Sequence, residues 1–75
     1  MSNSHKKHFQ KYYSLPFLEI GVKVFYKPKN KFGKIAHFGN HLHIKLDDET
    51  KSLKVHPTES ISYFDKNNVL LKDFE

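Results

Sequence analysis

The residues of this chain able to do chemistry are ammonium groups, imidazoles and aromatic rings, and from residue 23 onward they alternate with aliphatic side chains. Lys23, Lys27, Lys29, Lys31 and Lys34 are followed by Phe38, His41, His43, Lys45, Lys54 and His56. Lysine meets phosphate as a point charge, and an exposed ring adds a stacking surface worth about 1–3 kcal/mol per base. Phe38 is the leading candidate for such a ring, with Phe25 and Phe32 nearby. The pattern points to a nucleic acid, DNA or RNA, held through its phosphates. All thirteen basic residues are lysine. The bidentate guanidinium fork that reads guanine edges is missing, so sequence-specific readout is disfavoured.

Charge is divided unequally along the chain. Residues 1–46 hold nine lysines against the single acid Glu19, whereas residues 47–75 hold four lysines against seven acids. Such an asymmetry is either the footprint of a polyanion or one face of the protein neutralising another. If four to six phosphates are neutralised, the logarithm of the binding constant falls with log salt at a slope of about −4 to −5 on duplex DNA.

Metal and catalytic chemistry are weakly supported. His41 and His43 point the same way along one strand, a spacing able to hold zinc or nickel, but no acid or cysteine accompanies them. We expect no metal and no cofactor. Asp47, Asp48 and Glu49 form an acidic turn more readily explained by solvation than by a hard cation. There is no Gly-rich phosphate loop, no nucleophile elbow and no interpretable Ser/His/Asp arrangement, so the expectation is a protein that is not an enzyme.

The elements that must position these residues are strands. Val22, Val24 and Tyr26 alternate with Lys23 and Phe25, Lys34–Phe38 resumes with Ile35 and His37 on one side, and Leu42, Ile44 and Leu46 alternate with His41, His43 and Lys45. Ser52–His56 and Ile61–Phe64 complete five strands of period two. A two-residue turn at Gly39-Asn40 sets Phe38 against His41 and Ile35 against Ile44. A loop of Asp48–Lys51 sets Ile44 against Val55 and Leu46 against Leu53. Both hairpins then bury aliphatic residues on one face and place Lys34, Ala36, Phe38, His41, His43, Lys45, Lys54 and His56 on the other, with Lys45 opposite Lys54 and His43 opposite His56. Like charges across a sheet are destabilising, which an anionic partner relieves.

Five short strands in so small a chain must curl to hide their edges, so the expected fold is all-β, a small five-stranded barrel over residues 15–66. Residues 1–14 form a basic, aromatic arm. It is either flexible or a short helix, since Phe9, Tyr12 and Tyr13 stand at i, i+3 and i+4. Pro16 starts an extended approach to Gly21, and residues 67–75 dock on the barrel, with Val69–Phe74 ambiguous between a strand and a helical turn. With 75 residues, 37% of them hydrophobic and none cysteine, disulfides and thiolate metal sites are excluded and packing alone must hold one small core. No stretch is long and apolar enough to span a membrane and no apolar leader precedes the arm, so a cytoplasmic location is expected.

Gly21-Val22-Lys23-Val24, Lys31-Phe32-Gly33-Lys34-Ile35, Leu42-His43-Ile44-Lys45-Leu46 and Ser52-Leu53-Lys54-Val55 with Ile61 resemble the small SH3-like barrels of the KOW and Tudor-like type. The resemblance is greatest to the Tudor-like module at the C-terminus of bacterial superfamily-one DNA helicases and covers residues 21–64. It departs at Val22, where an acid is usual. It implies a five-strand interaction module of transcription, translation or repair that contacts DNA, RNA or RNA polymerase. It also matches Gly33 to a loop glycine between the first two strands and His56-Pro57-Thr58-Glu59 to a short helical turn.

The competing function is a protein-interaction module, a small regulator docking on RNA polymerase, a helicase or the ribosome with Phe9, Tyr12 and Tyr13 as anchors. A methyl-lysine cage of Phe25, Tyr26, Phe38, Tyr63 and Phe64 is a third reading. It needs three of those rings converging on one pocket. The sequence leaves the oligomeric state open.

Overall fold

The computed structural model describes residues 4–75. Its elements are the helix α1 (Ser4–Tyr12) and the strands β1 (Lys23–Tyr26), β2 (Lys31–Phe38), β3 (Leu42–Leu46), β4 (Ser52–Val55), β5 (Ile61–Phe64) and β6 (Leu70–Asp73). All six strands are antiparallel in one sheet of order β4-β3-β2-β1-β5-β6. The described residues thus form a small all-β domain with one short α-helix and a 3-10 turn at Lys27–Lys29 between β1 and β2. There are six strands instead of five, because residues 70–73 pair with β5, and the sheet stays open, with β4 and β6 as free edges, where a closed barrel was expected.

The arm is helical from Ser4 to Tyr12, and its end is defined by a Schellman motif. Leu15 donates its backbone N–H to the Gln10 carbonyl at 2.9 Å and Ser14, at φ 57°, donates to Lys11 at 3.3 Å. The motif turns Leu15 into the core, where it is 2% exposed. Gln10 Nε2 then donates to the Leu18 carbonyl at 2.7 Å. The approach to β1 is not extended as expected: Leu18 N–H bonds Leu15 and Val22 N–H bonds Glu19, two successive tight turns that drop Leu18 into the interior.

Val24, Ile35, Leu42, Ile44, Leu46, Ile61 and Tyr63 fill that interior from the concave side of the sheet, and Phe9 of α1 joins them. Burial pushes the Tyr63 hydroxyl pKa upward, and the hydroxyl donates to the Pro57 carbonyl at 2.7 Å. That bond ties down the segment before β5. This segment is a turn in which Glu59 N–H reaches the His56 carbonyl and Ser60 takes φ 56°, where a short helical turn was expected.

The register of the meander differs in two informative ways. Ile35 does face Ile44, but the strand bulges at Ala36, so that His37 faces His43 and Phe38 faces Leu42. Neither Gly39 nor Asn40 takes the positive φ that a two-residue primed turn needs, and residues 39–41 form the loop. The bulge moves Phe38 from the outer face to the core, where it is 8% exposed beneath Phe9 at a ring distance of 5.8 Å. A flush hairpin leaves that ring in water. Between β3 and β4 the pairing lies two residues from the expected one, with Ile44 opposite Leu53 and Leu42 opposite Val55. Side-chain faces survive a slip of two, but cross-strand partners do not.

Gly33 lies inside β2, not in a loop between strands. A Cβ on it meets the Lys45 carbonyl oxygen at 2.5 Å, so glycine is required for the close approach of β2 to β3.

Candidate nucleic-acid interface

The convex face of the sheet collects side chains that the sequence scatters over thirty residues. Lys34 of β2 stands directly opposite Lys45 of β3, and Lys23 of β1 stands opposite Lys34 on its other side. Lys54 of β4 faces His43, so the like-charge pairs across the sheet are Lys23–Lys34 and Lys34–Lys45, and the expected Lys45–Lys54 pair is replaced by Lys45–Ser52. Lys34, Lys45 and Lys54 are exposed and make no salt bridge among the described residues.

The ring on this face is Phe32, not Phe38. Phe32 is 43% exposed, packs its edge against Phe25 at 4.7 Å and lies 6.0 Å from Phe64. Lys23 reaches over Phe32 with Nζ 4.6 Å from the ring centroid, and the same Nζ donates to Asn68 Oδ1 at 2.9 Å. Phe25 and Phe32 had been secondary candidates. Phe64, considered from the sequence only as a cage ring, stands opposite Lys23 because β5 pairs with β1.

The remaining lysines behave differently. Lys27 pairs with Asp73 at 2.8 Å, Lys31 with Asp48 at 2.9 Å, and Lys29 and Lys31 both approach Glu49 at 3.6 Å. The Lys31 hydrogen bond holds the Asp48 carboxyl below its ordinary pKa, and Asp48 in turn raises that of Lys31. Asp73 is likewise depressed, by the hydrogen bond from Lys27 and then by that from the Ser62 hydroxyl. The acidic turn is therefore occupied by lysines. Internal neutralisation accounts for Lys27, Lys29 and Lys31, and leaves Lys34, Lys45 and Lys54 exposed, and Lys23 half-buried against Phe32 and Asn68, without a carboxylate partner among the described residues.

The imidazoles divide as well. His37 and His43 stack obliquely on the convex face at 5.3 Å, with His41 in the adjoining loop. His37 was expected on the inner side and reaches the outer one through the bulge. Partial burial first, and then repulsion from His37, Lys54 and His41, lowers the pKa of His43. His56 does not face His43. It sits in the turn after β4, its Nδ1 bonded to Thr58 and its ring edge-on to Tyr13 at 5.6 Å. Among the described residues no group of three or more His, Asp or Glu side chains is arranged to hold a metal ion.

Of the three aromatic residues of the arm, Phe9 is buried and Tyr13 half-buried against the core, whereas Tyr12 is 70% exposed. Phe9 is thus a core residue and not a surface anchor. The rings considered for a cage are split between faces, with Phe38 and Tyr63 inside and Phe25 and Phe64 outside, so they do not converge.

Fold and face together define a small antiparallel β domain with a lysine- and phenylalanine-bearing convex surface. Compared with protein-family models, curated proteins and solved structures, the chain gives no match. Among the described residues no helix is long and apolar enough to cross a membrane.

Proposed function

We propose that this protein is a non-enzymatic nucleic-acid-binding module that holds phosphates with Lys23, Lys34, Lys45 and Lys54 and offers Phe32 as its exposed ring. The observation that carries the reading is the unpaired Lys34–Lys45 juxtaposition. Two ammonium groups directly across a sheet repel, and no carboxylate of the described residues compensates them. An anionic ligand supplies the missing countercharge. The finer fold reading belongs to the same proposal. A meander whose fifth strand returns beside the first supports a variant of the SH3-like barrel opened at one side, and with it a role in transcription, translation or repair inside the cytoplasm.

Because three of the lysines are engaged with acids, fewer phosphates are neutralised than the lysine count suggests. With four contacts the slope of log binding constant against log salt is about −3 on a single strand. Fluorescence anisotropy with a labelled twelve-nucleotide strand across a salt series measures it. A slope near zero, or no binding at low salt, eliminates the reading.

A second reading is favoured by a separate observation. Val69, Leu70 and Leu71 are all exposed on or beside β6, a strand that ends the sheet, and exposed aliphatic residues on a free edge suit strand addition by a protein partner. Affinity capture from cells with and without nuclease separates the two. A partner retained after nuclease and lost on Leu70→Lys or Tyr12→Ala supports protein docking.

A further inference from the structure

The convex face ends at a groove of about 780 Å³ between the turns before β1 and the β5–β6 connection. Its lining includes the apolar Ile20, Phe64 and Leu71 together with Lys23, Lys34 and Asn68, and the carboxylates Glu19 and Asp65. Its volume falls in the range of small-ligand sites, which combine apolar walls with a few placed polar groups. Two of the lining residues, Lys23 and Lys34, are also members of the phosphate-facing row, so groove and row are one continuous surface. Lys23 joins them physically, since its ammonium touches the Phe32 ring on one side and the Asn68 amide on the other.

We infer that this groove takes an unpaired nucleobase, and that the ligand of the convex face is therefore a single strand, DNA or RNA, and not a duplex. The inference rests on the nucleic-acid reading above. A strand whose phosphates follow Lys45 and Lys34 reaches the groove at Lys23, where a base can turn off the backbone between Ile20, Phe64 and Leu71. Asn68 and the neighbouring Asp65 and Asn67 offer donors and acceptors at the base edge. A base held in a duplex keeps its neighbours stacked and cannot enter. The exposed flanks of Ile20 and Leu71, 60% and 38% accessible, are apolar surface that such a base covers.

The test compares labelled dT12, rU12, an abasic deoxyribose strand of equal length and a twelve-base-pair duplex by anisotropy at one low salt concentration. We expect dT12 or rU12 to bind about tenfold tighter than the abasic strand, whose charge is the same. The double variant Ile20→Ala/Leu71→Ala should lower the affinity for the base-bearing strands several-fold, the remaining preference over the abasic strand being stacking on Phe32, and leave abasic binding unchanged; an unchanged affinity for dT12 and rU12 overturns the inference. Should that variant lose its fold, the wild-type protein still decides. Its Ile20 and Leu71 methyl resonances must shift with dT12 or rU12 and stay still with the abasic strand. Equal affinity for base-bearing and abasic strands, or binding of the duplex as tight as that of dT12, overturns the inference and leaves the phosphate reading standing. Binding of none of the four overturns both. Self-association of the free chain that the double variant abolishes assigns the groove to a second copy and also overturns it.

Discussion

Two sets of lysines, one at Lys27, Lys29 and Lys31 and the other at Lys34, Lys45 and Lys54, end in opposite circumstances. Lys27, Lys29 and Lys31 sit at the hairpin between β1 and β2, and a meander brings that hairpin to the same end of the sheet as the β3–β4 turn. Asp48 and Glu49 are waiting there, and Asp73 comes from β6. Lys34, Lys45 and Lys54 lie along the strands, where outward positions are occupied by lysine, histidine, serine and phenylalanine and by no acid of β1 to β4. Topology thus decides which charges are neutralised at home. Net charge alone assigns all of them to a ligand, and only the cross-strand register separates the structural lysines from the available ones.

The largest effect comes from the scaffold that both sets share. Gly33 stands between Lys31 and Lys34, and a side chain there collides with the Lys45 carbonyl. We expect Gly33→Val to destabilise the fold by about 2–3 kcal/mol, read from denaturant unfolding, and to impair both regions at once. Stability close to wild type shows that β2 and β3 are not held in this register. The next effect separates the regions. Replacing Lys34, Lys45 and Lys54 together by Gln should reduce the salt slope on a single strand from about −3 to about −1, whereas the same change at Lys27, Lys29 and Lys31 leaves it near its original value. Equal losses in the two triple variants erase the distinction.

The third effect uses the histidine that the available set surrounds. His43 has a pKa lowered by partial burial and by His37 of β2, Lys54 of β4 and His41 of the neighbouring loop. Its folded pKa lies below the unfolded value, so the unfolded chain takes up the proton first. Stability due to His43 is complete above a pH of about 6.5 and is lost as pH falls from there toward the folded pKa. A bound phosphate reverses the repulsion, so strand affinity should rise a few-fold over the same fall. His43→Gln should remove that part of both trends. If thermal melts and anisotropy of the variant follow the wild-type pH profiles, His43 is not coupled to the face.

Much of this was legible in advance, and the failures have causes. Period two over Val22–Tyr26 and Leu42–Leu46 identifies those strands because one face of each is turned to the core, whereas Ile61–Tyr63 is buried on both faces, and parity alone places Lys34, Lys45 and Lys54 outside. The bulge at Ala36 was not legible: alternation continues smoothly through Lys34–Phe38, and what reverses it is the burial of Phe38 under Phe9, a contact between residues twenty-nine positions apart. That one event moved Phe38 inside and His37 outside. Phe32 ranks behind Phe38 in the sequence, and Phe64 enters only as a cage ring, because only the pairing of β1 with both β2 and β5 puts Phe25, Phe32 and Phe64 on one outer face. The pairing of Lys31 with Asp48 needs the spatial neighbourhood of two turns, which no local pattern encodes.

The smallest effect is the most direct measure of the contrast, because it needs no ligand. Lys31→Gln removes an ammonium that holds a carboxylate, and Lys34→Gln removes one that faces another ammonium across the sheet. The first should lower the unfolding midpoint slightly at pH 7 and low salt, and the second should raise it slightly. Because both residues are on the surface, about 1 M salt should shrink the two shifts together, its Debye length being about 3 Å. Shifts of the same sign at low salt mean that Lys34 has a carboxylate partner in solution, and the row on β2 and β3 then loses its claim to an external anion. Opposite signs that converge with salt mean that the protein tolerates an unrelieved repulsion on its convex face, which is the condition under which a polyanion gains most by binding there.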